Sequence, residues 1–121
     1  MAEEVRMSPD GNLILVVSDG KPSLGEMRQT LAAIADLRRT HGIERVLVDS
    51  RARSDQPPVS DLFQGGEMLA RELGPNVRIA VLVASLQGDH VFFENVAVNR
   101  GARVAFFEDE HVALRWIAKQ P

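Results

Sequence analysis

Five short apolar segments alternate along the chain with longer stretches in which apolar residues recur every three or four positions. The first, Val5 to Met7, alternates apolar and polar residues and runs into Ser8-Pro9-Asp10-Gly11, a strong turn signal. Asn12 to Val17 reads as a strand beyond that turn, so the Asp10-Gly11 pair predicts a hairpin. Ser18-Asp19-Gly20-Lys21-Pro22 closes the strand and opens a loop. Ser23 and Glu26 then form a capping box, in which hydroxyl and carboxylate each accept from a backbone N–H that the first helical turn leaves unpaired. Behind it Leu24, Met27, Leu31 and Ile34 share one face. Arg28, Arg38 and Arg39 fall away from that face, and Gly42 ends the helix after His41.

Arg45 to Asp49 reads as a short central strand rich in β-branched residues. The stretch from Ser50 to Val59 is a polar loop holding Ser54, Asp55 and the pair Pro57-Pro58, whose missing N–H donors exclude a strand or a helix interior. Ser60 stands at the N-cap of a second helix, with Leu62, Phe63, Leu69 and Leu73 on its apolar side and Gly74-Pro75 at its close. Gly65-Gly66 inside that helix costs about 1 kcal/mol per glycine relative to alanine, a sign of close packing or of a local irregularity. Val77 to Ala84 is apolar almost throughout, which predicts a strand buried on both faces. Asp89 is placed to cap a third helix, striped by Phe92, Phe93, Val96 and Ala97 and ending at Asn99-Arg100-Gly101. Ala102 to Phe107 is the last strand. Asp109 caps a fourth helix that buries Val112, Ala113, Trp116 and Ile117. The order β, β, α, β, α, β, α, β, α predicts a parallel sheet with an antiparallel pair at its start, in one domain over residues 1–121.

Composition narrows the function classes. With 45% apolar and 26% charged residues the chain is an ordinary globular one, long enough to bury a core. It has no cysteine, which removes disulfides, thiol nucleophiles and thiolate metal sites and points to the cytoplasm. Met1-Ala2-Glu3-Glu4 is acidic with no apolar region behind it, unlike a secretory signal, and no apolar run is long enough to span a bilayer. Net charge is −3, and all but Lys21 and Lys119 of the 14 basic residues are arginines, scattered along the sequence. Arg51 and Arg53, between Asp49 and Asp55, form a local basic spot in a loop; no basic stripe is visible, so nucleic acid is not an expected partner.

Candidate chemistry gathers where the central strand gives way to the second helix. Ser60 and Asp61 open a helix after a long loop, where α/β sheets offer a ligand crevice and a helix N-terminus favours an anion. The plainer reading of Ser60 is a helix cap. Asp49 and Ser50 end the strand; a carboxylate there holds a metal or a partner's loop, or orders its own loop by hydrogen bonds to backbone amides. Asp55 and Asp61 lack the spacing of a calcium loop, so no metal is expected. His41, His90 and His111 fall in no triad or metal motif, and the glycines form no dinucleotide or phosphate loop, so no cofactor is expected either. Phe92, Phe93, Phe106, Phe107 and Trp116 suit the lining of a lipid pocket, but a core accounts for their periodicity.

Several segments together carry a family likeness. Val46-Leu47-Val48-Asp49 followed by a loop and helix, then Arg78-Ile79-Ala80-Val81-Leu82-Val83, resembles the SpoIIAA-like group of the STAS fold. So does the run from Phe92-Phe93-Glu94-Asn95 to Arg103-Val104. The ending Phe107-Glu108-Asp109-Glu110 to Trp116 is similar to that group's closing acidic helix. The resemblance implies an α/β fold, a mixed four- to five-stranded sheet with about four helices in ββαβαβαβα order, and no intrinsic catalysis. Relatives act as anti-sigma factor antagonists, as cytoplasmic modules of anion transporters, or as bacterial proteins grouped with the lipid-binding SEC14 fold. In the antagonists a serine at the start of the second main helix is phosphorylated within an Asp-Ser-Ser-Gly type motif. Here the stretch reads Gln56-Pro57-Pro58-Val59-Ser60-Asp61-Leu62: only Ser60 matches as a phosphoacceptor, and the rest of the motif is absent. The expectation is a non-enzymatic module that binds a protein partner or a second copy of itself through Asp49, Ser50, Ser54, Ser60 and Asp61. The alternative is a carrier of a small apolar or anionic ligand.

Overall fold

The alternating segments resolve, in a computed structural model that describes residues 3–54 and 57–119, into a five-stranded sheet with four α-helices. In chain order these are β1 (Glu3–Met7), β2 (Ile14–Gly20), α1 (Leu24–His41), β3 (Arg45–Arg53), α2 (Val59–Leu73), β4 (Arg78–Leu82), α3 (Gly88–Asn99), β5 (Arg103–Phe107) and α4 (Glu110–Ala118). A single 3-10 turn, Gly74–Asn76, links α2 to β4. The strands lie in the order β1-β2-β3-β4-β5, with β1 antiparallel to β2 and every later pair parallel. The expected element order and the SpoIIAA-like α/β architecture are both present.

Strand periodicity sorts the core into two layers. Ile14, Val16, Val46, Ile79, Val81 and Val104 face α1, α2 and α3, where they meet Leu31, Ile34, Met68, Leu69, Leu73 and Ala97. The alternate positions Leu47, Ala80 and Leu82 face α4 and meet Ala113 and Ile117, with Phe107 and Trp116 at the margin. β4 is buried on both sides, as its apolar run predicts. Val112 is exposed, against expectation, because α4 packs on this face as a single short helix and its outer flank meets solvent.

The first helix matches its sequence signals closely. Ser23 Oγ accepts from the Glu26 N–H at 3.1 Å, the Ser23 N–H donates to Glu26 Oε1 at 3.3 Å, and Gly42 closes the helix at φ 70°, in the left-handed region that favours glycine. Asp109 caps α4 through Oδ1, which accepts from the Val112 N–H at 3.2 Å. Two caps lie elsewhere than expected. α2 starts from Pro58, whose carbonyl accepts from Asp61 and Leu62, so Ser60 is inside the first turn and not before it. α3 starts from Gln87, whose N–H donates to His90 Nδ1 at 3.0 Å, so the ring takes the capping role assigned to Asp89. β2 and β3 also outrun their apolar cores: Asp19 and Gly20 pair with Ala52 and Arg53, past a bulge at Ser18. Ser18 is fully buried there because its hydroxyl donates to Glu3 on β1 at 2.9 Å, and Glu3 also accepts from Thr30 of α1 at 2.6 Å.

The diglycine is a close-packing site. A Cβ on Gly66 would fall 2.9 Å from Val96 Cγ1 and 3.3 Å from the Ala97 backbone nitrogen, whereas one on Gly65 would meet the ring edge of Phe93 and the flexible end of Met27. Gly66→Ala is therefore expected to lower the urea midpoint, because overpacking of about 1–3 kcal/mol outweighs the roughly 1 kcal/mol that alanine gains in a helix. Gly65→Ala is expected to lower the midpoint less than Gly66→Ala, since its Cβ meets only side chains, the Phe93 ring at 3.0 Å and the flexible end of Met27 at 3.2 Å, and no backbone atom. A Gly66→Ala protein as stable as wild type would refute the contact.

Candidate functional site

Four helix N-termini stand at the end of the sheet where the parallel strands finish, and the β3–α2 connection crosses there. Asp49 lies on the α4 side of β3, in step with Leu47 and Arg51. Arg51 grips its carboxylate in a fork, Nε to Oδ1 at 2.9 Å and Nη2 to Oδ2 at 2.8 Å, and the Arg51 backbone N–H adds a third bond to Oδ1 at 3.1 Å. Glu110, the first residue of α4, holds the same guanidinium at 3.4 Å. The Arg51 hydrogen bond keeps the Asp49 pKa below the ordinary carboxylate value, against a smaller opposing effect of burial. Asp49 is thus occupied by Arg51 within β3, which runs on to Arg53 and does not end at Asp49 as expected.

The remaining sequence candidates separate. Ser50, although next to Asp49, points to the opposite face of β3 and is buried. Ser54 is exposed, and its N–H donates to the Gly20 carbonyl at 2.9 Å, which stitches the end of β3 to the end of β2. Ser60 is exposed in the first turn of α2, with Asp61 half-buried beside it, where a negative charge favours the helix N-terminus. Asp55 and Gln56 lie outside the described residues. Other carboxylates at this end fasten loops: Glu108 accepts from the Leu86 N–H at 2.7 Å and Glu94 from the Phe106 N–H at 3.2 Å. His90 stacks on Phe106 with ring centroids 5.1 Å apart. Among the described residues no group of three His, Asp or Glu side chains is arranged to hold a metal.

A strand order that never reverses also lacks the topological switch point that opens a ligand crevice in doubly wound sheets. Two shallow recesses are present elsewhere, one beside β1 and α1 and one at the opposite end of the sheet; neither includes Asp49, Ser60 or His90.

The sequence reading assigned Phe63 to the buried side of α2 and Phe92 to the stripe of α3, and overlooked Val59, Leu86 and Val91. Val59 is 64% exposed and Val91 57%, and Phe63, Leu86 and Phe92 are also exposed. All five belong to the first two turns of α2 and α3 or to the loop leading into α3. Phe93 takes the inward position of its pair, edge-on to Phe106 at 5.9 Å, which leaves Phe92 outside. Arg100 lies over the Phe63 ring at 4.8 Å and pairs with Glu67 at 3.1 Å. A usable signal was the apolar character of α3 on both its faces, which exceeds what one buried stripe requires.

The Asp49–Arg51 bond has a pH signature. A carboxylate whose folded pKa lies below its unfolded value stabilises the fold above the ordinary value of about 3.9, and that contribution disappears as pH falls through the folded value. Wild type is expected to exceed Asp49→Asn by less than about 1 kcal/mol at neutral pH, because the pair is partly exposed. The difference should shrink as pH falls below the ordinary carboxylate value. Urea midpoints of both proteins across that range check this; a gap that persists in acid would contradict it.

No family model matches the chain, and no curated protein matches it. Among solved structures it is similar to an uncharacterised protein of the DUF3478 family with a SpoIIAA-like fold from Shewanella loihica PV-4, at 18% identity and a TM-score of 0.59 over 97% of this chain and 93% of that one. The topology and this likeness agree: the chain has a SpoIIAA-like fold.

Proposed function

We propose that the chain is a non-enzymatic, cytoplasmic interaction module that binds a partner protein at the end of the sheet formed by the β3–α2 connection and the first turns of α2 and α3. The observation that carries this reading is the group of exposed apolar side chains there, Val59, Phe63, Leu86, Val91 and Phe92. Large apolar side chains left exposed beside polar ones mark interaction surfaces on soluble domains. Ser54, Ser60 and Asp61 supply such a rim. The scaffold beneath is rigid, because α2 and α3 interlock at the diglycine and need not rearrange to present the surface. No helix among the described residues is long and apolar enough to cross a membrane, and the lack of cysteine fits a reducing compartment.

Ser60 extends the reading to regulation. It is exposed within the first turn of α2, where a phosphoryl group is favoured by the helix N-terminus and would change the charge of the rim.

Affinity capture from the native host, with the wild-type chain and with Val59→Asp and Phe63→Asp as baits, tests the surface. The expected result is a protein retained by wild type and lost by both variants, each weakening binding by at least about tenfold, as truncation of a buried anchor does. Sedimentation of the purified chain tells a second copy of itself from a different partner. Equal retention by wild type and both variants would exclude this surface.

A further inference from the structure

β3, β4 and β5 each begin with an arginine, and the pairing register sets Arg45 beside Arg78 and Arg78 beside Arg103. In-register residues of parallel strands share a face, so the three arginine side chains leave adjacent strands in a row, from backbones about 4.8 Å apart. The row lies on the α4 side, at the opposite end of the sheet from Asp49 and Ser60. There it lines a recess of about 430 Å³ together with Lys119, Asn12, His41 and Asn76.

Arg78 has a structural role, since it lies 4.5 Å over the Trp116 ring and donates to the Trp116 carbonyl at 2.8 Å, near the C-terminus of α4. That role does not extend to its neighbours. Neither Arg45 nor Arg103 makes a side-chain hydrogen bond or ion pair with any described residue. Glu44, the carboxylate at the recess, is engaged by Arg38 at 3.2 Å. Arg78 Nε is buried without a hydrogen-bond partner among the described residues. Burial first, then the charges of Arg103 and Arg45, lower the Arg78 pKa from its ordinary value, and arginine stays protonated nonetheless.

Like charges side by side on neighbouring strands destabilise a sheet unless something compensates them, and the chain as a whole is acidic, with a net charge of −3. We propose that the recess bounded by Arg45, Arg78, Arg103 and Lys119 binds the phosphate groups of a small phosphorylated molecule. A polyvalent oxyanion suits the row, because one carboxylate leaves two of the three guanidinium charges uncompensated and phosphate oxygens match their planar donors. The inference is independent of the partner surface, which lies at the other end of the strands.

Trp116 is the chain's single tryptophan and there is no tyrosine, so intrinsic fluorescence reports directly on the group under Arg78. Pyrophosphate titrated at constant ionic strength, with chloride as control, is expected to give a saturable change in Trp116 emission. Arg45→Gln and Arg103→Gln are expected to weaken it by about tenfold or more each, while Arg71→Gln, exposed on α2, leaves it unchanged. The two glutamine variants are expected to melt no lower than wild type, since neither arginine has a partner to lose among the described residues. A wild-type protein without a saturable response overturns the proposal whatever the variants do. So does a response equal in wild type and both glutamine variants. Phosphatidylcholine vesicles carrying phosphatidic acid separate the sources of the phosphate: co-sedimentation competed by pyrophosphate assigns a lipid headgroup, and a pyrophosphate response without co-sedimentation assigns a free phosphorylated molecule.

Discussion

The handedness of the strand crossovers governs the rest of this molecule. Parallel strands joined by right-handed connections, laid down in one direction across the sheet, must place every connecting helix on the same face. Here the order from β2 to β5 never reverses, so α1, α2 and α3 crowd one side and α4 alone returns to the other. The crowding makes α2 and α3 pack closely enough to need glycine at their contact. The single return helix leaves the second face only partly covered, with Val17 of β2 at 40% exposure. The absence of a reversal also removes the crevice on which many α/β proteins build their sites, so this chain presents surfaces and a shallow recess instead.

What could be read from the sequence depended on how local the determining interaction was. The Ser23–Glu26 box, the Gly42 stop and the Asp109 cap each act within a few residues, and all were legible. The starts of α2 and α3 were misplaced because neither begins on the expected polar residue: α2 follows Pro58 with no side-chain cap, and at α3 the Gln87 N–H is taken by the His90 ring. β2 and β3 were read too short for a different reason. Ser18, Asp19 and Gly20 look like a loop in isolation, and they join the sheet only because β3 pairs alongside and Glu3, fifteen residues away, accepts from the buried Ser18 hydroxyl.

The candidate sites follow the same rule. Asp49 was expected to end its strand and order a loop; it lies inside β3 instead, and its grip by Arg51 is a contact over two residues of that strand. The dispersal of Asp49, Ser50 and Ser60 over different faces was not recognisable, since it depends on strand alternation carried past the apolar core. The arginine row was overlooked because its members are 33 and 25 residues apart and appear scattered. Its trace was present all the same: Arg-Val-Leu-Val, Arg-Ile-Ala-Val and Arg-Val-Ala-Phe open three successive strands with the same residue at the same register position. Charge that is dispersed along a chain becomes concentrated when equivalent positions of a repeated strand–helix unit stack.

The contact between Gly66 and Val96 also bears on how such a chain drifts. Because a side chain at position 66 meets both the Val96 side chain and the backbone nitrogen of Ala97, trimming Val96 opens only part of the space. The two positions therefore accept change in a preferred order. Loss of volume on α3 can come first at a modest cost, whereas gain of volume on α2 cannot come first without wedging the helices apart. A chain with valine at position 96 is thereby held to glycine at 66, a steric constraint on the helix pair that neither residue imposes alone.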